Sequence, residues 1–298
     1  MRIGWWIVWI SACTSGTETV DKADDGEQGA ETDTTSDTDS PSAPDPELGK
    51  FSFFVTSLAA LQDLSGSQEG FGGDLRFGET GPGAGLRGAD KICATIAERS
   101  MPGAGAKPWR AFLSATAGED GEVVDAIDRI GTGPWYDRLE RLFANDVSEL
   151  LHDRPINADA EIIDDFPNED GVPNHRPDPT ADRVDNHDML TGTNDEGRLY
   201  SQTATCLDWT SSLGEGDGEP RVGHAWPRSG PGGGGPGGGG PGGGPGGDVN
   251  PANWMSSLDE SGCAPGVNLL ETGPPDPRSN TVGSGGGYGG FYCFALVP

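Results

Sequence analysis

Of 298 residues only 33% are hydrophobic, while 50 are glycine and 24 are proline, so much of the chain lies outside any packed core and one folded domain is expected rather than two. The net charge of −29 excludes nucleic acid and anionic lipid headgroups as partners and disfavours heparin, because a polyanion binder must supply Lys and Arg to displace counterions. Cations, neutral glycans and basic proteins remain as ligand classes.

The chain starts MRIGWWIVWISAC: a cationic residue, an apolar run from Ile3 to Ile10, then small residues ahead of a cysteine. A bilayer span takes about 20 residues, so this run reads as a secretion signal over residues 1–12. Ile10-Ser11-Ala12-Cys13 resembles the bacterial lipobox, which implies cleavage before Cys13 and lipid attachment to it. Thr14 in place of Asp implies, by the same resemblance, the outer membrane, on its periplasmic or cell-surface face. The anchor would then be the only membrane contact. Residues 13–50 are Thr, Ser, Asp, Glu, Gly and Pro with almost no large apolar side chain, so they cannot offset the entropy of ordering and are expected to form a disordered acidic tether of roughly 35 Å or more.

The folded part is expected over 51–298. It opens on a strand, KFSFFVTSL, with Phe51, Phe53 and Val55 on one side. In RGADKICATIAERSMPG, Ala89, Ile92, Cys93, Ile96 and Ala97 share one helical stripe, and Pro102 and Gly103 stop the helix. PWRAFLSA, Pro108 to Ala115, is a strand candidate. Glu122 to Ile130 is a short helix candidate, and Asn145 to Asp153 is another with Asn145 as N-cap. The last residues, GFYCFALVP, alternate Phe291, Cys293, Ala295 and Val297 against Tyr292, Phe294 and Leu296; both sides are apolar, so the strand should be covered on both faces. Strand, helix and last strand together predict a mixed α+β domain with long loops and adjacent termini.

Besides Cys13 the chain carries Cys93, Cys206, Cys263 and Cys293, none in a CxxC, so an exported chain predicts two disulfides with three pairings open. The ordered set of the cysteine helix, AFLSA, DAIDRI, GTNDEGRLYSQTATCLDW, a third cysteine and FYCFAL resembles the endostatin domain of multiplexin collagens, a branch of the C-type-lectin-like fold. The resemblance runs over Phe51 to Pro298 at low identity. Its most specific part is met by Gly192, Thr193, Gly197, Arg198, Cys206 and Trp209. It implies Cys93 paired with Cys293 and Cys206 with Cys263. On that reading Thr191 to Ser212 is a structural corner: Gly192 and Gly197 permit tight turns, Cys206 staples the loops and Trp209 packs beside the bridge.

Two inserts interrupt the domain. Residues 229–248 place Pro231, Pro236, Pro241 and Pro245 among glycines at spacings of five, five and four, which is not the Gly-every-third pattern of collagen but a low-complexity insert that loop-closure entropy tolerates. The acidic loop 157–188 is a Ca²⁺ candidate through Asp164, Asp165, Asn168 and Asp170, or through Asp182, Asp185 and Asp188. Its near match to an EF-hand, Phe166 to Gly171, has Phe in place of the first ligand. His175 and His187 in the same loop are weak transition-metal candidates, while His152 and His224 read as structural or exposed single residues. The sugar-binding triplets of C-type lectins are missing, and so is the histidine cluster that opens endostatin. No GxSxG, HExxH, P-loop or Rossmann fingerprint occurs, and no catalytic residue is assigned. The expected function is an exported, lipid-anchored, non-catalytic binding or adhesion module that recognises a protein or glycan through its long loops. A structural envelope protein without soluble ligand is the alternative, and an enzyme ranks third.

Overall fold

The computed structural model describes residues 49–175, 184–227, 250–270 and 278–298. The signal, Cys13, nearly all of the tether, the Gly/Pro insert 229–248 and residues 176–183 of the acidic loop lie outside the described residues. What is described is a mixed α/β domain with two sheets, five helices and two disulfides among those residues.

Its centre is the C-terminal strand β8 (Gly287–Ala295), buried at all nine positions. The short β1 (Phe53–Val55) runs antiparallel along one edge, with Phe53 opposite Phe294 and Val55 opposite Tyr292. On the other edge β2 (Trp109–Ala111) pairs antiparallel with residues 293–295 and β5 (Asp188–Leu190) pairs parallel with residues 287–291. The sheet continues through β6 (Arg221–His224) to β7 (Leu258–Asp259). A separate ribbon joins β3 (Trp135–Tyr136) to β4 (Leu142–Ala144). The aromatic rings of Phe53, Phe143, Phe166, Trp254, Tyr292 and Phe294 meet within 6.5 Å of one another in successive pairs and fill the core beneath the sheet.

Helix α1 (Leu58–Ser65) is capped by Ser57, whose hydroxyl accepts from the Ala60 amide, and stopped by Gly66 in the left-handed region. Helix α2 (Ala84–Ser100) is the expected cysteine helix, one turn longer at its start, with Ala89, Ile92, Cys93, Ile96 and Ala97 all buried. The candidate helix from Glu122 shortens to α3 (Ala126–Arg129), because Val124 instead bridges Ala115. The next, α4 (Val147–Leu150), is capped by Asp146 and not by Asn145: the Asp146 carboxylate accepts from the Ser148 and Glu149 amides, while Asn145 is taken up by the Glu149 carboxylate. Leu150 is buried and Leu151 exposed.

The bridges are Cys93–Cys293, which ties α2 to β8 across 200 residues, and Cys206–Cys263, which closes 57. They are the pairs that the endostatin resemblance implies. Cys206–Trp209 (α5) is one turn of left-handed helix, with φ from 47° to 63° at four consecutive non-glycine residues. The turn lies against α2 where that helix carries glycine: a Cβ at Gly85 would stand 2.1 Å from the Asp208 carbonyl oxygen. Gly192 and Gly197 both have positive φ, at 66° and 73°, and Trp209 packs over Gly192.

Candidate functional site

Strands β5 and β6 are set in register with Asp188 opposite His224. Opposed residues of an antiparallel pair point to the same side of the sheet. Asp188 and His224 therefore share a face, and His187, one residue ahead of the strand, turns its ring onto the same carboxylate. His224 Nε2 is 3.0 Å and His187 Nε2 3.3 Å from a single oxygen, Asp188 Oδ1. The two rings stand edge to face with centroids 4.0 Å apart. All three side chains are 0 or 1% exposed.

The outer nitrogens of the two rings are held from behind. His187 Nδ1 lies 2.9 Å from Asp185 Oδ1, and His224 Nδ1 lies 2.9 Å from the Pro251 carbonyl oxygen and 3.3 Å from Ser257 Oγ. A carboxylate and a carbonyl accept, so each ring carries its proton on Nδ1. Gly286 makes room for Asp185, since a Cβ there would fall 2.3 Å from the carboxyl carbon. Glu260, just past β7, lies fully buried against Asp188. Burial, and then the Asp188 charge, push its carboxyl well above the usual range, while Ser284 Oγ and the Gly285 amide donate to it.

A rigid frame surrounds the cluster. Trp226 packs on His187 at 4.5 Å and is itself stacked by His175 at 3.9 Å. Trp226 Nε1 donates to Asn186 Oδ1, and Asn186 and Asn174 exchange side-chain amide bonds to each other's carbonyls, at 2.6 and 2.9 Å. Arg154 donates to the carbonyls of Ile163, His224 and Ala225 and covers the Phe166 ring at 3.9 Å. Burial pulls its guanidinium down to about 10.

Chemically, two imidazole nitrogens and one carboxylate oxygen within 4.8 Å of each other form a donor set for a transition metal. The calcium candidates fare differently. Asp164 and Asp170 are exposed, and among the described residues they and Asp165 do not converge. Asn168 Oδ1 closes a local turn onto the Asp170 and Val172 amides, and Asp165 Oδ1 accepts from the His175 amide. Of the proposed oxygens, Asn168 Oδ1 and Asp165 Oδ1 are thus engaged by backbone amides. In the second set Asp182 lies outside the described residues, and Asp185 and Asp188 serve the histidine cluster instead. His187 is in the cluster, but its partner is His224 and not His175, which stacks on Trp226. His224 was missed because it sits 36 residues from Asp188 with no motif around it; only the β5–β6 register joins them.

Elsewhere, a cleft of about 340 Å³ is lined by Glu69, Pro265, Val267, Asn268, Thr281 and Ser284, and its Ser284 reaches Glu260. A second, of about 450 Å³, is lined by Glu79, Arg87, Asp90, Arg110 and Glu119, which pair among themselves. Compared with known protein families and with curated proteins, the chain finds no match.

Proposed function

We propose that the chain is an exported, lipid-anchored, non-catalytic binding module of the cell envelope, with a C-type-lectin-like, endostatin-like domain that offers its long loops to a protein or glycan partner. Two bridges of long span favour an oxidising compartment, where disulfides persist. The single observation that carries the reading is the joining of the two long loop segments into one platform. Phe166 donates its amide to the Ala225 carbonyl, Arg154 ties both segments together, and His175 stacks on Trp226. Recognition loops need such a fixed support.

The lipidated chain, reconstituted in vesicles and probed with a glycan array and with purified envelope proteins, should show saturable binding to at least one. Arg154→Ala should weaken that binding while both disulfides persist in a peptide map. Saturation by no glycan and no envelope protein would leave the structural-envelope reading in its place. The anchor has its own test: Cys13→Ser should release the protein from the membrane fraction, and a variant that stays with the lipid refutes the attachment.

A further inference from the structure

We propose that His187, Asp188 and His224 together hold one divalent first-row transition ion of the zinc class, in a buried site at the adjoining ends of β5 and β6. The inference goes beyond the binding function and stands whether or not the loops meet a partner.

The argument begins with the protons. The Pro251 carbonyl and the Asp185 carboxylate each require a proton on the Nδ1 they face, so the neutral form of each ring turns a lone pair at Nε2 toward Asp188 Oδ1. In that tautomer the two Nε2 atoms and Asp188 Oδ1, at 3.0 and 3.3 Å, are three donor atoms close enough to bond one cation between them. The competing arrangement adds a proton to each Nε2 and sets two imidazolium rings, with centroids 4.0 Å apart, against the Asp185 and Asp188 carboxylates; a histidine ¹⁵N spectrum separates the two.

The spacing also fits. Ligands 2.0–2.2 Å from a tetrahedral zinc ion lie about 3.4 Å from one another, close to the 3.0 and 3.3 Å that separate the two Nε2 atoms from Asp188 Oδ1. Metal-bound histidines characteristically hand their second nitrogen to a carboxylate or a backbone carbonyl, and this pair does one of each.

The donor set names the class. Calcium and magnesium take oxygen ligands, so two imidazoles disfavour them. All four cysteines of the domain are in disulfides, so no thiolate is on hand for a soft ion. Imidazole with carboxylate suits zinc, iron, nickel or copper, of which zinc needs no redox partner. Full burial of the donors suits an ion that clips the end of the acidic loop to the strand leading into the Gly/Pro insert, its fourth position falling to the second Asp188 oxygen or a water.

The test uses the untagged full chain with its disulfides intact, stripped with a chelator and titrated calorimetrically with Zn²⁺ and, separately, Ca²⁺. One Zn²⁺ per chain is expected, with Ca²⁺ at least about tenfold weaker. Asp185→Asn, which keeps the ring contact, should lower Zn²⁺ affinity about 10- to 100-fold. Because His187→Ala or His224→Ala could fail to fold, the wild-type chain carries a second readout. Its histidine ¹⁵N spectrum in excess Zn²⁺ should show both Nε2 atoms without protons and shifted by metal. Absence of stoichiometric Zn²⁺ binding by the wild-type chain, or both Nε2 atoms protonated in excess Zn²⁺, overturns the proposal.

Discussion

Gly85 and Gly88 show how single atoms position the corner of this domain. A Cβ at Gly88 would fall 2.1 Å from the Leu75 carbonyl oxygen, and one at Gly85 equally close to the Asp208 carbonyl oxygen. Both obstacles are backbone, which cannot rotate away. Gly88→Ala should therefore cost roughly 1–3 kcal/mol or more, read as a lower urea midpoint. Gly66→Ala, at φ 68° with no atom within 4 Å, should cost only the left-handed penalty of about 1–2 kcal/mol. Glu169 supplies a pH dependence. Burial raises its carboxyl above the ordinary range, against the opposing bonds from the Ser57 hydroxyl and amide. The folded chain thus keeps this proton to higher pH than the unfolded chain, and its contribution to stability is lost as pH rises from the ordinary carboxyl value through the raised one. Glu169→Gln removes that loss. The variant should gain on the wild type in urea midpoints as pH rises above the ordinary carboxyl value, and a difference that stays constant with pH would refute the assignment.

At the scale of elements, the left-handed turn Cys206–Trp209 is costly in itself. Four non-glycine residues at about 1–2 kcal/mol each carry roughly 4–8 kcal/mol of strain. Closing 57 residues, the Cys206–Cys263 bridge contributes about 4 kcal/mol in the loop-entropy account. The rest comes from Trp209 Nε1 on the Ser114 carbonyl at 2.7 Å and from the Asp208 carboxylate, which accepts from the Thr116 amide and hydroxyl. Replacing both Cys206 and Cys263 by Ser should lower stability by about 4 kcal/mol and speed hydrogen exchange at the amides of Asp208 and Trp209 before the α2 amides respond. Helix α2 was legible in the sequence because its stripe of five small and apolar residues repeats at helical spacing. The turn was not: TCLDW has no glycine to announce positive φ, and its conformation is held by Ser114 and Thr116, some 90 residues away. Likewise the choice between Asn145 and Asp146 as cap depends on Glu149 reaching back, which either residue type would allow.

At the scale of the whole molecule, β8 organises everything else, since β1, β2 and β5 all pair with it and Cys293 anchors α2 to it. In the chain the Gly/Pro insert falls between Pro227 and Asn250, the nearest described residues on either side. Removing half of residues 229–248 should change stability by no more than about 0.6 kcal/mol, because closure entropy varies only with the logarithm of loop length; a drop of several kcal/mol on thermal unfolding would mean that the tract makes contacts the domain needs. Composition, cysteine count and local periodicity were enough to specify a mixed α/β domain with two disulfides, a buried terminal strand and a cysteine-bearing helix. Such features repeat over a few residues, and burial leaves its mark at that range. Which polar side chains meet was decided by tertiary structure alone: His224 faces Asp188 through the pairing of two strands, and a strand register leaves no trace in the identity of one histidine.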